Sequence, residues 1–453
     1  MGPSVLNVIR GNEYFRRSAT DGRTCALTYS VLKNLHNRAA NEYVTRNNEQ
    51  EELPPLACTY FPEPDLRDLL AIADEDGMVH LLQTGQSDVR LSLKSSWQAH
   101  ENAIFDVCPR PGRSHLTTAS GDLSVRLWDI EQQTRVASFQ GHKGSVKCVR
   151  FLPEHADVFA SGSRDGSLMI WDTRCSDPQM IIPRVHCKGC GATPVRKRKL
   201  SALAMPPSSC SVTACEFRNE HYLVSCGASN GALKVWDLRK NYQLYNNDPR
   251  PAICVPYTGR SAAIHGYTSI VLDVSRRRAF ASCTDHHIYQ YDLLASDTTE
   301  PLAVYSGHST HSFYVKLGLS SDGRFLASGS SDASAYIWNV DTPGFPQLRL
   351  SGHRAEVAVL AWDPFHPARL ATCGDDNRVL LWDATAAEEA GRAMKDCTRA
   401  EVFAAAECTA TLTGASPSSA RLVPPRYSTA APARRRGRAP PWPTGSHRPP
   451  SAG

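Results

Sequence analysis

The sequence has no run of eighteen or more apolar residues, so it offers no membrane-spanning helix. Its opening stretch, MGPSVLNVIRGNEYFRR, lacks the apolar core of a secretory signal. Leu6 stands where myristoylation at Gly2 would need serine or threonine. Charge of one sign is also scarce: a net charge of +5 permits acidic partners but does not demand nucleic acid. Cysteine is not scarce, with 15 residues. Most of them, including Cys58, Cys108, Cys148, Cys226, Cys283 and Cys373, lie in apolar runs where free cysteine acts as a small buried hydrophobe. Without a secretion signal this usage points to a reducing compartment, cytosol or nucleus.

What is present is a repeat. Gly141-His142 leads through SVKCVRF and VFASGSRDGSLMIWD to Trp171-Asp172. Ala99-His100, Gly307-His308 and Gly352-His353 open segments of the same form, ending at Trp128, Trp338 and Trp382. Trp128 and Trp171 are 43 positions apart, Trp338 and Trp382 are 44 apart, and this is the WD-repeat period of four strands per blade. Weaker copies place Trp236, Tyr291 and Leu81 in the tryptophan position, which brings the count to seven. The strands alternate or are wholly apolar, and turns such as SRDG, DEDG and GDDN tolerate positive φ. The fold class is all-β, a seven-bladed WD40 β-propeller over residues 23–389. Blade seven supplies only three strands of its own, and Thr24 to Leu32 (TCALTYSVL) is the candidate for the fourth. Such closure hides an open sheet edge.

Two blades carry His, Ser, Asp and Trp at matching spacing: His142, Ser161, Asp165, Trp171 and His308, Ser328, Asp332, Trp338. A hydrolase needs one exposed nucleophile with an oxyanion hole, not a set repeated from blade to blade, and no G-x-S-x-G elbow accompanies either set. The expected role is a buried hydrogen-bond chain ending on the tryptophan N–H. No catalytic residue and no cofactor are expected.

Three segments fall outside the repeat. Residues 1–22 are polar and expected to be loose. Residues 175–210 are surplus between Trp171 and Trp236 and read as a basic loop between blades three and four. Within it, Arg196, Lys197, Arg198 and Lys199 form a candidate nuclear-localisation run, against the plainer reading of a solvated loop. His186, Cys187 and Cys190 have some zinc-like spacing, with Cys175 and Cys210 as spare thiols, but a structural site wants two such pairs, so no metal is expected. From residue 390 to 453 the composition turns to Ala, Pro, Ser and Arg, as in a disordered basic tail.

Blades three and four end in Trp171-Asp172-Thr173-Arg174 and Trp236-Asp237-Leu238-Arg239, whereas other blades lack the arginine. This pair resembles the signature of receptors that dock on the damage-binding adaptor of cullin-four RING ubiquitin ligases. Blade four departs from the wider box, with Asn230 where an acid is usual. The plainer reading is two chance arginines in a common repeat.

Beyond that box, PPLACTYF, WQAHENAIFDV, GSRDGSLMIWDTRC, GALKVWDLRKNY, FYVKLGLSSDGRFLASGSSDASAYIW and LATCGDDNRVLLW make the chain resemble the denticleless protein family over residues 54–383. The resemblance implies a nuclear, non-catalytic receptor that couples this ligase to substrates bound to the replication sliding clamp. These include the licensing factor, a cyclin-kinase inhibitor and a histone methyltransferase. It further implies that acidic groups on one face meet a basic degron residue. Asp74, Glu75, Asp76, Asp375 and Asp376 are acidic turn residues, none assigned to that task and each with a plain role in a tight turn. The tail shows no clamp-binding motif, so direct clamp contact is not expected, nor is sequence-specific nucleic-acid binding. The alternative is a non-ligase WD-repeat scaffold in a nuclear chromatin or RNA-processing complex.

Overall fold

The computed structural model describes residues 32–38, 41–85, 92–153, 155–186, 210–229, 231–242, 249–259, 265–294, 300–384 and 397–403. They form antiparallel four-stranded units, each a blade. The inner strands are Pro55–Tyr60, Ile104–Pro109, Val146–Phe151, Val212–Asn219, Tyr267–Leu272, Leu317–Leu319 and Val357–Trp362. Each packs against the next, and the last packs against the first, so seven blades close into a ring. The architecture is an all-β WD40 propeller.

Inner strands start at one face of the ring, called here the upper face. Third strands, such as Leu168–Asp172, end at the opposite, lower face. The tryptophans that set the repeat, Trp171, Trp236, Trp338 and Trp382, are fully buried, as are Leu81 and Tyr291 in the same position. Second strands are built from small residues because a neighbouring blade lies directly on them. A Cβ on Gly329 would stand 1.9 Å from the Val357 carbonyl oxygen, and one on Gly162 would stand 2.7 Å from Val212. No larger residue fits there without moving a blade.

Ring closure differs from the expectation in its segment. The outer strand of blade seven is Glu42–Val44, paired with Arg378–Leu380, not Thr24 to Leu32. Residues 24–31 lie outside the described residues, and Leu32, just before a short turn, is buried in the core of blades six and seven. Glu42–Val44 is too short to show an apolar pattern, and its ladder with the open edge is what decides its place. Asn37 reinforces the seam, its side-chain amide donating to the Leu381 carbonyl (3.0 Å).

The tail begins later than expected. Cys397–Val402 is a fifth strand on blade six, paired with Leu348–Ser351, and His36–Arg38 bridges it to blade seven. An uncovered outer edge offers backbone donors and acceptors to any chain nearby, and this segment takes them. Phe403 then packs edge-on against Tyr336 and stacks beside Phe345. Residues 404–453 lie outside the described residues. Truncation before residue 397 is expected to lower the thermal midpoint by several degrees, whereas truncation after 405 leaves it unchanged. Calorimetry of the two forms checks this.

The insert is also shorter than 175–210. Met180–Ile182 is the outer strand of blade three, paired with Leu168–Ile170. His186 is then the counterpart of His142, and the surplus lies between His186 and Cys210. Of it, residues 187–209 are outside the described residues. The nuclear-localisation run Arg196, Lys197, Arg198 and Lys199 falls there. No helix among the described residues is long and apolar enough to cross a membrane.

Candidate docking rim and recognition face

The buried hydrogen-bond chain in blade three is complete. Trp171 Nε1 donates to Ser161 Oγ (2.8 Å), whose hydroxyl meets His142 Nε2 (2.7 Å), and His142 Nδ1 lies 3.1 Å from Asp165 Oδ2. Burial opposes charge on Asp165, but the hydrogen bond from His142 and the donors around it prevail and hold the carboxyl at about 2. Blade two repeats the chain through His100, Thr118, Asp122 and Trp128, and blade seven through His353, Thr372, Asp376 and Trp382. Threonine replaces serine in both, so a serine nucleophile is not what the geometry preserves.

In blade six the expected chain does not form. Ser328 donates to the Gly329 carbonyl (2.9 Å), Trp338 Nε1 donates to the Ser306 carbonyl (3.0 Å), and Asp332 accepts from the Tyr336 hydroxyl (2.6 Å). Tyr336 has captured the aspartate. His308 is left edge-on to Trp338, with neither ring nitrogen partnered among the described residues. Its burial, assisted by His286 and His287, pushes its pKa down to about 3, so it stays neutral.

Blade four shows what the zinc-like spacing concealed. His186 is fully buried, with Nε2 at 2.9 Å from Ser225 Oγ, and Ser225 also accepts from Trp236 Nε1 (2.9 Å). The residue fills the histidine position of the blade. The signal was present in Trp236 and Ser225, but the insert after His186 broke the spacing. Cys187 and Cys190 lie outside the described residues. A G-x-S-x-G string does occur at Gly227–Gly231, but it lies in the strand-to-strand turn of this blade. Its Ser229 is buried and donates to the His186 carbonyl (3.0 Å). Asp68, Asp363 and His366 converge as a metal site might, but Arg369 Nη1 already donates to Asp68 (2.6 Å) and lies 3.3 Å from Asp363.

The lower rim carries the arginine pair. Arg174 Nε and Nη2 donate to the two carboxylate oxygens of Asp172 (2.9 and 2.6 Å). Arg239 makes the same fork with Asp237 (2.8 and 3.0 Å), lies over the Tyr222 ring, and donates to its hydroxyl. The forks hold Asp172 and Asp237 at about 2. The forked donors are thus spent on each blade's own aspartate rather than free for a partner. What the fork provides is orientation. The guanidinium groups stay exposed, with side chains 71% and 56% accessible, yet their direction is set before anything binds.

A third fork lies on the next blade and is invisible to the W-D-x-R spacing. Asp292 ends the third strand of blade five as Asp172 and Asp237 end theirs. Its partner is Arg277, whose Nη2 donates at 2.7 Å and whose side chain is 58% accessible. Arg277 comes from the turn before the second strand, so only the folded blade brings it to the rim.

The upper face has an acidic side at blades seven and one. Asp74 is fully buried, caps its own turn and meets His80 (3.1 Å), while Asp376 serves His353; both have structural employment. Glu356 accepts from the hydroxyls of Ser312 and Ser331, which leaves Asp375 and Glu75, and desolvation plus the like charges of Glu356, Glu75 and Asp376 raises Asp375 to about 6. Its folded value exceeds the ordinary 3.8, so ionising it disfavours the fold; that penalty builds up as pH rises from 3.8 to about 6 and is fully present above it. Asp375→Asn is expected to raise the thermal midpoint slightly at pH 8, with the gain vanishing toward pH 4. The effect stays small because Asp375, though desolvated on the side facing its neighbours, keeps most of its surface in solvent that screens it.

A closed seven-bladed ring with aspartate-ended strands and no shared reactive centre among the described residues defines the class: a WD-repeat β-propeller. Residues 299–339 and 344–383 match the WD domain, G-beta repeat, and residues 110–258 match the N-terminal domain of nucleolar protein 10-like proteins. The chain belongs to the denticleless protein homologue family. It is 39% identical over 359 residues to the denticleless protein homolog of Danio rerio, covering 78% of this chain and 55% of that protein. It is 38% identical over 363 residues to the Homo sapiens homolog, covering 78% and 50%. Protein lethal(2)denticleless of Drosophila melanogaster is 40% identical over 362 residues, covering 76% and 47%. The chain thus spans about half the length of the curated relatives it matches.

Proposed function

We propose that this chain is the nuclear substrate-recognition receptor of a cullin-four RING ubiquitin ligase. Its lower rim docks on the damage-binding adaptor, and its upper face receives proteins bound to the replication sliding clamp. The licensing factor, a cyclin-kinase inhibitor and a histone methyltransferase are the substrates the family suggests, marked for degradation during DNA replication and after DNA damage. The observation that carries the reading is the pair of oriented, exposed forks Arg174–Asp172 and Arg239–Asp237 on adjacent blades, in a chain of the denticleless family.

An arginine held in place loses little rotamer freedom on binding, so its remaining donors meet a partner's carbonyl or carboxylate cheaply. Ubiquitin transfer belongs to the RING subunit and its conjugating enzyme, so the receptor needs no catalytic group. Glu75 and Asp375, beside the serine-bonded Glu356, are the acidic groups placed to meet a basic degron residue. Mass spectrometry of proteins co-purifying from replicating cells, with and without DNA damage, tests the reading. Recovery of the adaptor and cullin supports it. Repeated recovery of a chromatin or RNA-processing complex without cullin would favour the scaffold reading instead.

A further inference from the structure

We propose that the upper mouth of the axial channel is a pocket for an anionic side chain, a carboxylate or phosphate ester, carried on an extended protein segment. The pocket has a volume of about 330 Å³, and its lining includes Phe105, Lys147, Arg164, Phe313, Tyr314 and Lys316 with no carboxylate. It lies on the face opposite the arginine forks and does not depend on adaptor docking.

The three cations are not equally satisfied. Lys316 donates to Asp106 (2.9 Å) and to the Phe105 carbonyl (2.7 Å). It belongs to a balanced network across the channel in which Arg150 joins Asp106 and Glu216. Lys147 has no such partner. Its ammonium sits 3.1 Å from the centre of the Phe105 ring and 5.5 Å from that of Tyr314, and ring faces are its compensation. Burial first, then Arg164 and Lys316, bring Lys147 down to about 7. Arg164, exposed in the blade-three turn, has no side-chain partner among the described residues. Arg164 as an uncompensated cation, with Lys147 beside it as an amine that an incoming anion would hold protonated, favours an anion at this partly desolvated mouth far more than it would in water.

The surroundings select a protein segment over a polyanion. Phe105 is covered on one face by Lys147, and Phe105 and Tyr314 stack on each other (6.1 Å, 13°), so neither offers a clear platform for a base. The acidic side of the same face, at Glu75, Glu356 and Asp375, repels a continuous phosphate backbone. Phe313 and Tyr314, 42% and 45% exposed, form an apolar lip for a residue flanking the anion. The insert leaves the upper face at His186 and returns at Cys210, next to the pocket residue Ser211.

The test uses the full chain with fluorescent alanine pentapeptides whose central residue is glutamate, phosphoserine or lysine, and with a twelve-residue thymidine oligonucleotide. Binding is read by anisotropy, and Lys147 exposure by acetic-anhydride labelling at pH 7.5 with mass spectrometry. The expected result is that the glutamate or the phosphoserine peptide binds and slows Lys147 acetylation while the lysine peptide does neither. The two anionic arms tell carboxylate from phosphate. Arg164→Gln and Lys147→Gln should each weaken that binding at least fivefold. Arg164 lies on an exposed turn, so its variant reports on binding even if the lysine variant misfolds. The proposal fails if neither anionic peptide protects Lys147, or if Arg164→Gln binds them unchanged. It also fails if the oligonucleotide binds more tightly than both peptides and is the ligand lost on Arg164→Gln.

Discussion

Changing Arg174 and Arg239 together to alanine is expected to reduce retention of the damage-binding adaptor on the order of a hundredfold, with the thermal midpoint unchanged. Both side chains are exposed and touch only their own blade, and Asp172 and the buried Asp237 each keep the backbone N–H of residues 174 and 239, so little of the fold depends on them. Interface energy concentrates in a few groups, and arginine is prominent among them. Each single variant should lose part of the retention. Arginine to lysine should recover little, because a single ammonium cannot hold both carboxylate oxygens of Asp172 or Asp237 and still present an oriented donor. Asp172→Asn separates orientation from charge: it keeps the arginine and weakens the fork, and intermediate binding is expected. Arg277→Ala reads whether the third fork shares the load. Immobilised adaptor and surface plasmon resonance provide the measurement. Full retention by the folded double variant would remove the docking model while leaving the family assignment intact.

The second large effect is on stability and is asymmetric between blades. Ser161→Ala in blade three strands both Trp171 Nε1 and His142 Nε2 in a fully buried setting. Each orphaned group costs about 1–3 kcal/mol, so the variant should lose roughly 2–5 kcal/mol, on the order of 5–10 °C in thermal midpoint. Ser328→Ala in blade six should cost below about 1 kcal/mol, because Ser328 bonds only its neighbour's carbonyl and supports neither His308 nor Trp338. The two serines occupy corresponding places in ASGS and ASGS, yet only one carries a chain. Equal losses in differential scanning calorimetry would mean that the blade-six chain forms after all.

Much of the ring was legible along the chain. The spacing of Trp128, Trp171, Trp338 and Trp382 and the small residues of the second strands are local signals, set by what one blade must present to the next. The W-D-x-R pair was equally visible. What escaped were features that depend on partners distant in sequence. His186 has the look of a metal ligand along the chain because the insert that follows it displaces it from its place in the repeat. Arg277 gives no signal along the chain because its aspartate, Asp292, lies fifteen residues ahead on another strand. Cys397–Val402 was assigned to a tail because a strand that completes an edge needs no apolar pattern of its own.

Composition and periodicity alone therefore determined the number of blades, the residues that anchor them and the W-D-x-R pair itself, since repeated burial leaves a repeated pattern. Tertiary structure decided which segment closed the ring, which histidines were partnered, how the arginines were oriented, and that charges from blades two, three and six met at one mouth. Closure and the mouth rest on contacts between groups far apart in the chain, such as Lys316 with Asp106, that appear only when the ring is closed, whereas the histidine and arginine pairings appear once each blade is folded.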